Sequence, residues 1–317
     1  MIQQSTCRVG IDIGGTKINI GLVTEDGSIL ASTRLPSTGA RETAAFVDRI
    51  TTALEALLAS QGMRLAQVVQ IGVGIPGTVD TQHGIVLFSS NLFGDQPVPL
   101  GEAFAQRLGR PVTVVQDSWA AAWAEQCFGA GKPYDSHLCL TIGTGIGCGV
   151  ILHRRVYAGP MHAAGELGHM PIVWQGRPCS CGKKGCLETY ASGTAIRAQA
   201  LERFPEKLQG SDTRTETIFD MAKAGDADAR ALIEDCVDKL AYGIALGLDL
   251  FSVDTVLLSG GVSVHRELVI DPLEEKVLQY GYPAWSSRHH LRIMPAALGP
   301  DAPMVGAAFL TAAEMQF

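Results

Sequence analysis

Apolar and polar positions fall in blocks along the chain, and the blocks predict elements. Residues 8–13 are an apolar run with strand composition, residues 18–23 alternate with period two, and residues 29–35 resume the run. Two turn signals separate them, Gly14-Gly15-Thr16-Lys17 and Glu25-Asp26-Gly27-Ser28. Helical spacing follows over about 42–60, with Phe46, Ile50, Leu54 and Leu57 on one face. An apolar strand over 68–74 ends at Ile75-Pro76-Gly77, and a short strand over 111–115 leads into a helix over 118–128. After a Gly/Pro break at 129–133 the plan repeats: strand 137–142, Gly-rich turn 143–147, return strand 148–153. A long helix over 227–251, a strand over 253–258 ending in Ser259-Gly260-Gly261, and an apolar helix over 303–315 complete the pattern. Two halves that each open strand, Gly-rich turn, strand predict a duplicated α/β architecture.

The chain has 317 residues, 46% of them hydrophobic, enough for one or two packed domains. Its formal net charge of −7 without a basic run argues against nucleic acid or an anionic membrane as the main partner. ATP stays open, because backbone dipoles bind phosphate on acidic proteins too. No apolar run approaches the ~20 residues of a membrane span. Met1 to Thr6 lack the basic and apolar regions of a secretory signal, so a cytoplasmic address is expected. Cys7, Cys127, Cys139, Cys148 and Cys236 lie singly in apolar or Gly-rich segments and are expected to pack as small hydrophobes.

Asp12 ends the first strand, followed by Gly14, Gly15, Thr16 and Lys17. Glycines let backbone N–H groups approach an anion, Thr16 and Lys17 add donors, and Asp12 offers oxygen to Mg²⁺. An ordinary hairpin turn would read the same way. Gly143, Thr144 and Gly145 repeat the arrangement at the matching place in the second half. Neither turn is a Walker A motif, and each runs into a strand where a dinucleotide fingerprint needs a helix. Gly260 and Gly261 at a later strand end suit close approach of a flat ligand such as adenosine.

His169, Cys179, Cys181 and Cys186 make a Cys₃His set interleaved with Gly182 and Gly185, the pattern of a closed structural zinc site. Four protein ligands leave no open position for catalysis by the metal. Glu166 and Glu188 flank the cluster, and pinning its loop would hold both carboxylates for sugar hydroxyls. Asp117, at the end of Val114-Val115-Gln116-Asp117, either caps the following helix or accepts a proton from a substrate hydroxyl.

These residues resemble the ROK family (repressors, uncharacterised reading frames and sugar kinases) of the actin/hexokinase-like ATPase superfamily over essentially the whole chain. Asp12 to Lys17 and Gly143 to Gly147 look like its two phosphate motifs, Gly165-Glu-Leu-Gly-His169 is similar to its signature, and the Cys₃His set matches its zinc ligands. The resemblance implies an α/β fold of two actin-like (ribonuclease H-like) domains with an interdomain cleft. It divides the chain into 1–118 plus 303–317 and a larger 119–302 carrying the zinc loop. It makes Asp117 the catalytic base, and Asn91, Gln116, Glu166, His169 and Glu188 sugar contacts, with His169 also on zinc. It further implies ATP, Mg²⁺ and structural Zn²⁺, a homodimer, and phosphorylation of a hexose at the 6-hydroxyl, glucose first. N-acetylhexosamines, fructose and allose stand as alternatives. One departure bears on specificity: Gln116-Asp117-Ser118-Trp119 replaces the usual Asn-Asp-Ala-Asn, so the base is kept while the neighbouring contact is a longer Gln.

Two other classes compete. A sugar-responsive repressor of this family carries a helix-turn-helix ahead of the first strand, whereas that strand is expected here from about residue 8 without a basic patch. A binding protein without catalysis would not need Asp117 and two phosphate turns together.

Overall fold

The computed structural model describes residues 6–37, 42–89, 92–208, 213–283 and 291–317. In chain order the first elements are β1 (Cys7–Ile13), β2 (Lys17–Val23), β3 (Ile29–Pro36), α1 (Thr43–Ser60), β4 (Val68–Ile75), β5 (Thr78–Asp80), β6 (Ile85–Phe88), α2 (Leu100–Leu108), β7 (Thr113–Gln116) and α3 (Asp117–Phe128). Then come β8 (His137–Ile142), β9 (Ile146–Leu152), β10 (Arg155–Tyr157), α4 (Glu188–Ala191), α5 (Gly193–Arg203), α6 (Thr215–Lys223) and α7 (Ala227–Phe251). The chain finishes with β11 (Thr255–Ser259), α8 (Arg266–Val269), α9 (Leu273–Tyr280), β12 (Arg292–Pro295), α10 (Ala302–Phe309) and β13 (Met315–Gln316). The fold is mixed α/β, and no helix among the described residues is long and apolar enough to cross a membrane.

Contacts divide the chain into two compact units, one of residues 1–135, 149–164 and 297–317, the other of 136–148 and 165–296. The first unit holds a five-stranded sheet in the order β3-β2-β1-β4-β7, antiparallel through β3-β2-β1 and parallel through β1-β4-β7. Val9, Ile11 and Ile13 point to one face, where Phe46, Ile50 and Leu54 of α1 join them in a fully buried cluster. Each such side chain contributes ~1.5–3 kcal/mol of burial. On the opposite face α10 lies directly on the strands: a Cβ on Gly10 would sit 1.8 Å from the Met304 carbonyl oxygen, and one on Gly72 1.8 Å from that of Ala307. Only glycine admits backbone that close. Helix α3 packs on α10 in the same way, Gly306 against the Ala120 carbonyl, so α3 stays whole in the first unit, past the expected cut after residue 118.

The expected helix over 303–315 is shorter than its composition suggests. It ends at Phe309, because Thr311 opens a new turn: its N–H donates to Glu314 Oε2 at 2.9 Å and its hydroxyl accepts from Ala313 N at 3.2 Å. The chain then pairs β13 with β10 in parallel, Val156 opposite Met315.

In the second unit β8, β11 and β12 run parallel, with Val256 opposite Leu138 and Leu257 opposite Met294. Helix α7 has the predicted span. Asp226 caps it by accepting from Asp228 N and Ala229 N at 3.1 and 3.0 Å, and Ser252 ends it in the left-handed region.

Candidate active site

In the first unit the parallel strands bring their carboxyl ends together. Asp12 of β1 stands opposite Gly74 of β4, and Ile75 opposite Gln116 of β7, so Asp12, Gln116 and Asp117 share one edge, the position where open α/β sheets bind ligands. Asn19 Nδ2 donates to Asp12 Oδ2 at 3.0 Å, and Arg34 Nε donates to Asn19 Oδ1 at 2.9 Å. Burial holds the Asp12 carboxyl above the usual carboxylate range; the Asn19 bond and the Lys17 charge oppose this, and the Asp301 charge adds to it. The turn is closed by Gly14 N donating to the Lys17 carbonyl at 2.9 Å. The N–H groups of Gly15 and Thr16 make no backbone hydrogen bond among the described residues. A concavity of open N–H donors beside a cation is an anion site.

Asp117 is the first residue of α3, with Gln116 at the cap position making no side-chain cap bond. Asp117 Oδ1 accepts from Ser118 N at 2.7 Å. That is a bond to the next residue, not to the second or third N–H of the turn that a helix cap serves. Gln116 is buried at the end of β7. Trp119 is fully buried and donates its indole N–H to the Ala164 carbonyl at 3.1 Å, so it packs. Asn91 lies outside the described residues.

In the second unit the turn at Gly143, Thr144 and Gly145 follows β8, and Gly260 and Gly261 follow the neighbouring β11. Gly260 has φ +92°, and a Cβ there would meet the Ile142 carbonyl oxygen at 2.4 Å. Val262 N donates to that carbonyl at 3.1 Å, which draws the two turns side by side. The N–H groups of Thr144 and Gly145 also carry no backbone bond among the described residues. Glu188, at the start of α4, accepts from Ile146 N through Oε2 at 2.9 Å. Gly168 of the signature packs on the same strand, where a Cβ would lie 2.1 Å from the Ile146 carbonyl oxygen. Glu166 lies near the buried Cys148; burial and then the Glu166 charge push that thiol up to about 12.

The four cluster residues converge. One ligand atom each from His169, Cys179, Cys181 and Cys186 lies within 4.8 Å of the others. Cys179 Sγ is 3.5 Å from His169 Nδ1, and Cys181 Sγ is 3.7 Å from Cys186 Sγ. Gly182 and Gly185, at φ +85° and +81°, turn the loop round this centre. Three thiols and an imidazole at these separations fit a tetrahedral zinc ion, whose charge would deprotonate the thiols. Burial by the protein itself pushes the Cys186 thiol up to about 12 and raises that of Cys179.

Sequence reasoning missed Asn19, Asp301 and Gly168. Asn19 carried a signal, a lone polar residue inside the alternating run of β2, directly opposite Asp12. Asp301 did not, because its proximity to Asp12 comes from where α10 begins.

The sequence model of the ROK family matches residues 8–314. The chain is similar to a glucokinase of Thermotoga maritima, 35% identical over 309 residues and covering 95% of each chain. It is also similar to an N-acetylmannosamine kinase of Yersinia pestis, 34% identical over 261 residues, 81% of this chain and 83% of that one. Among solved structures, a ROK family glucokinase from Streptomyces griseus in complex with glucose and AMPPNP superposes with a TM-score of 0.82 at 34% identity, covering 96% of this chain and 99% of that chain.

Proposed function

The chain belongs to the ROK family and is a sugar kinase of the glucokinase type, and from that premise we propose that it moves the γ-phosphoryl group of ATP to the 6-hydroxyl of a hexose, glucose first. The observation that carries this reading is the placement of Asp117, directly after Gln116 at the carboxyl end of β7, on the same sheet edge as Asp12 and its glycine turn.

Asp117 accepts the hydroxyl proton and orients the oxygen toward phosphorus; in a loose phosphoryl-transfer transition state, orientation is the larger part of that role. Gly15, Thr16, Thr144 and Gly145 bind phosphate oxygens through their N–H donors, with the Thr hydroxyls and the Lys17 ammonium, while Gly14 and Gly143 complete the phosphate-binding turns by closing them, their N–H groups donating to the Lys17 and Gly145 carbonyls. Gly260 and Gly261 leave room for the nucleoside. Asp12 fits Mg²⁺, since it is a buried oxygen donor at the edge of a phosphate turn, and the ion supplies charge neutralisation on the phosphates. Gln116, Glu166, His169, Glu188 and Asn91 bind the sugar hydroxyls. His169, Cys179, Cys181 and Cys186 hold zinc, which with four protein ligands fixes the loop. A cytoplasmic homodimer completes the reading, on the family resemblance.

An ADP-release assay with glucose, mannose, fructose, allose, N-acetylmannosamine and N-acetylglucosamine tests it. Glucose should give the highest kcat/KM. Preference for an N-acetylhexosamine would favour the second reading, which the Yersinia pestis relative supports. Sugar binding without ADP release from any of them would refute the kinase reading.

A further inference from the structure

Glu188 is not free to serve sugar alone. Its Oε2 accepts from Ile146 N at 2.9 Å, at the end of the Gly143–Thr144–Gly145 turn and 42 residues away in sequence. The same oxygen occupies the space over Gly145: a Cβ there would lie 2.3 Å from it, and the three atoms nearest that point all belong to the Glu188 carboxylate. The other end of the turn is held from the same stretch of chain, since Gly193 N donates to the Gly143 carbonyl at 2.8 Å and Thr215 Oγ1 donates to the Gly193 carbonyl at 2.9 Å. Glu188 stands two residues after Cys186. Leu187 between them is fully buried, and its N–H donates to the Met170 carbonyl, next to His169, at 3.0 Å.

We infer that Glu188 is a positioning residue for the second phosphate turn, and that the Cys₃His cluster sets nucleotide affinity through it as well as shaping the sugar site. The physical reason is orientation. A carboxylate that accepts from Ile146 N fixes the peptide planes before it, and with them the direction of the open Thr144 and Gly145 N–H donors. Preorganised donors bind an anion without the ordering loss that a slack glycine turn would bring. The inference rests on the kinase reading for the identity of the nucleotide.

The test is calorimetric titration of the full chain with Mg-ADP in the absence of sugar, so that any sugar contact is silent. Glu188→Ala should weaken ADP by roughly tenfold or more, the range of a hydrogen bond to a charged acceptor. Glu188→Gln keeps an acceptor for Ile146 N and should recover most of the affinity. Gly145→Ala should weaken ADP in the wild-type background and have little effect beside Glu188→Ala, because the three atoms nearest the new methyl are then gone. Cys181→Ser should weaken ADP in the wild type and add little to Glu188→Ala. Unchanged ADP affinity in Glu188→Ala overturns the inference while leaving the kinase reading intact. So does tighter binding in both Glu188 variants, which would make the carboxylate a repelling charge, or additive effects of Gly145→Ala. Wild-type protein that binds no ADP overturns both readings.

Discussion

Glu125 lies in α3 of the first unit with no solvent exposure, and its carboxylate is wholly committed to backbone. Oε2 accepts from Ala130 N at 2.8 Å and Ala297 N at 3.0 Å, and Oε1 from Leu298 N at 2.7 Å. One side chain therefore satisfies the loop that leaves α3 and the segment that leads toward α10. Glu125→Gln retains one oxygen and turns the other into a donor. If the oxygen serves Ala130 and Ala297, the amide NH₂ faces Leu298 N, donor against donor. The loss is one charge-assisted bond, ~1.5–3 kcal/mol, plus a buried orphan N–H, ~1–3 kcal/mol, together about 4 kcal/mol. At ~2.1 cal/mol/K of unfolding entropy per residue, 317 residues give ~0.67 kcal/mol/K, so the melting temperature should fall by about 6 °C. Far-UV circular dichroism melts of both proteins at pH 7, with urea unfolding alongside, measure it. Gly129→Ala should act in the same direction, since its Cβ would meet Glu125 Oε2 at 2.0 Å. A Glu125→Gln protein melting within about 2 °C of wild type would show that water or backbone relaxation replaces these bonds, and the argument for a buried clamp would be lost.

Other outcomes follow from the same geometry. Asp117→Asn should lower kcat by roughly 10²-fold or more with the fold intact, and near-normal turnover would remove Asp117 as the base. Elemental analysis should find about one zinc per chain, and a zinc-free preparation with full thermal stability and activity would refute the structural role. Cys181→Ser should weaken sugar binding as well as stability; unchanged sugar affinity would separate the cluster from the sugar contacts. His137 is fully buried in β8, and burial pushes its imidazole from 6.5 down to about 4. The unfolded chain then binds the extra proton first, so stability falls as pH drops from 6.5 toward 4, by on the order of 3 kcal/mol from this group. Urea unfolding of wild type and His137→Leu across that interval checks it, and parallel pH dependences would exclude His137 as the source.

Much of the fold was legible because its signals are local. Alternation in 18–23, the 3.6-residue spacing of Phe46, Ile50 and Leu54, and Asp226 ahead of a long apolar stripe each report the state of their own segment. The cluster was legible for a related reason. Three of its ligands lie within eight residues, so a short glycine-turned loop suffices to gather them. The over-long last helix shows where that logic stops. Residues 310–314 have helix-compatible composition, and what ends the helix is Thr311 finding Glu314 before it finds the preceding turn.

Residue types and short spacings thus determined the strands, the Gly-rich turns, the Cys₃His cluster and the chemistry each could support. The tertiary structure alone decided which backbone lies against which: α10 on Gly10 and Gly72, Gly168 on the Ile146 carbonyl, and Glu188 on Ile146 N. Those contacts join residues tens to hundreds of positions apart. Nothing in a local pattern encodes them, because their energy depends on shape and separation in space, and a glycine or a glutamate looks the same in sequence whether it meets a partner or solvent.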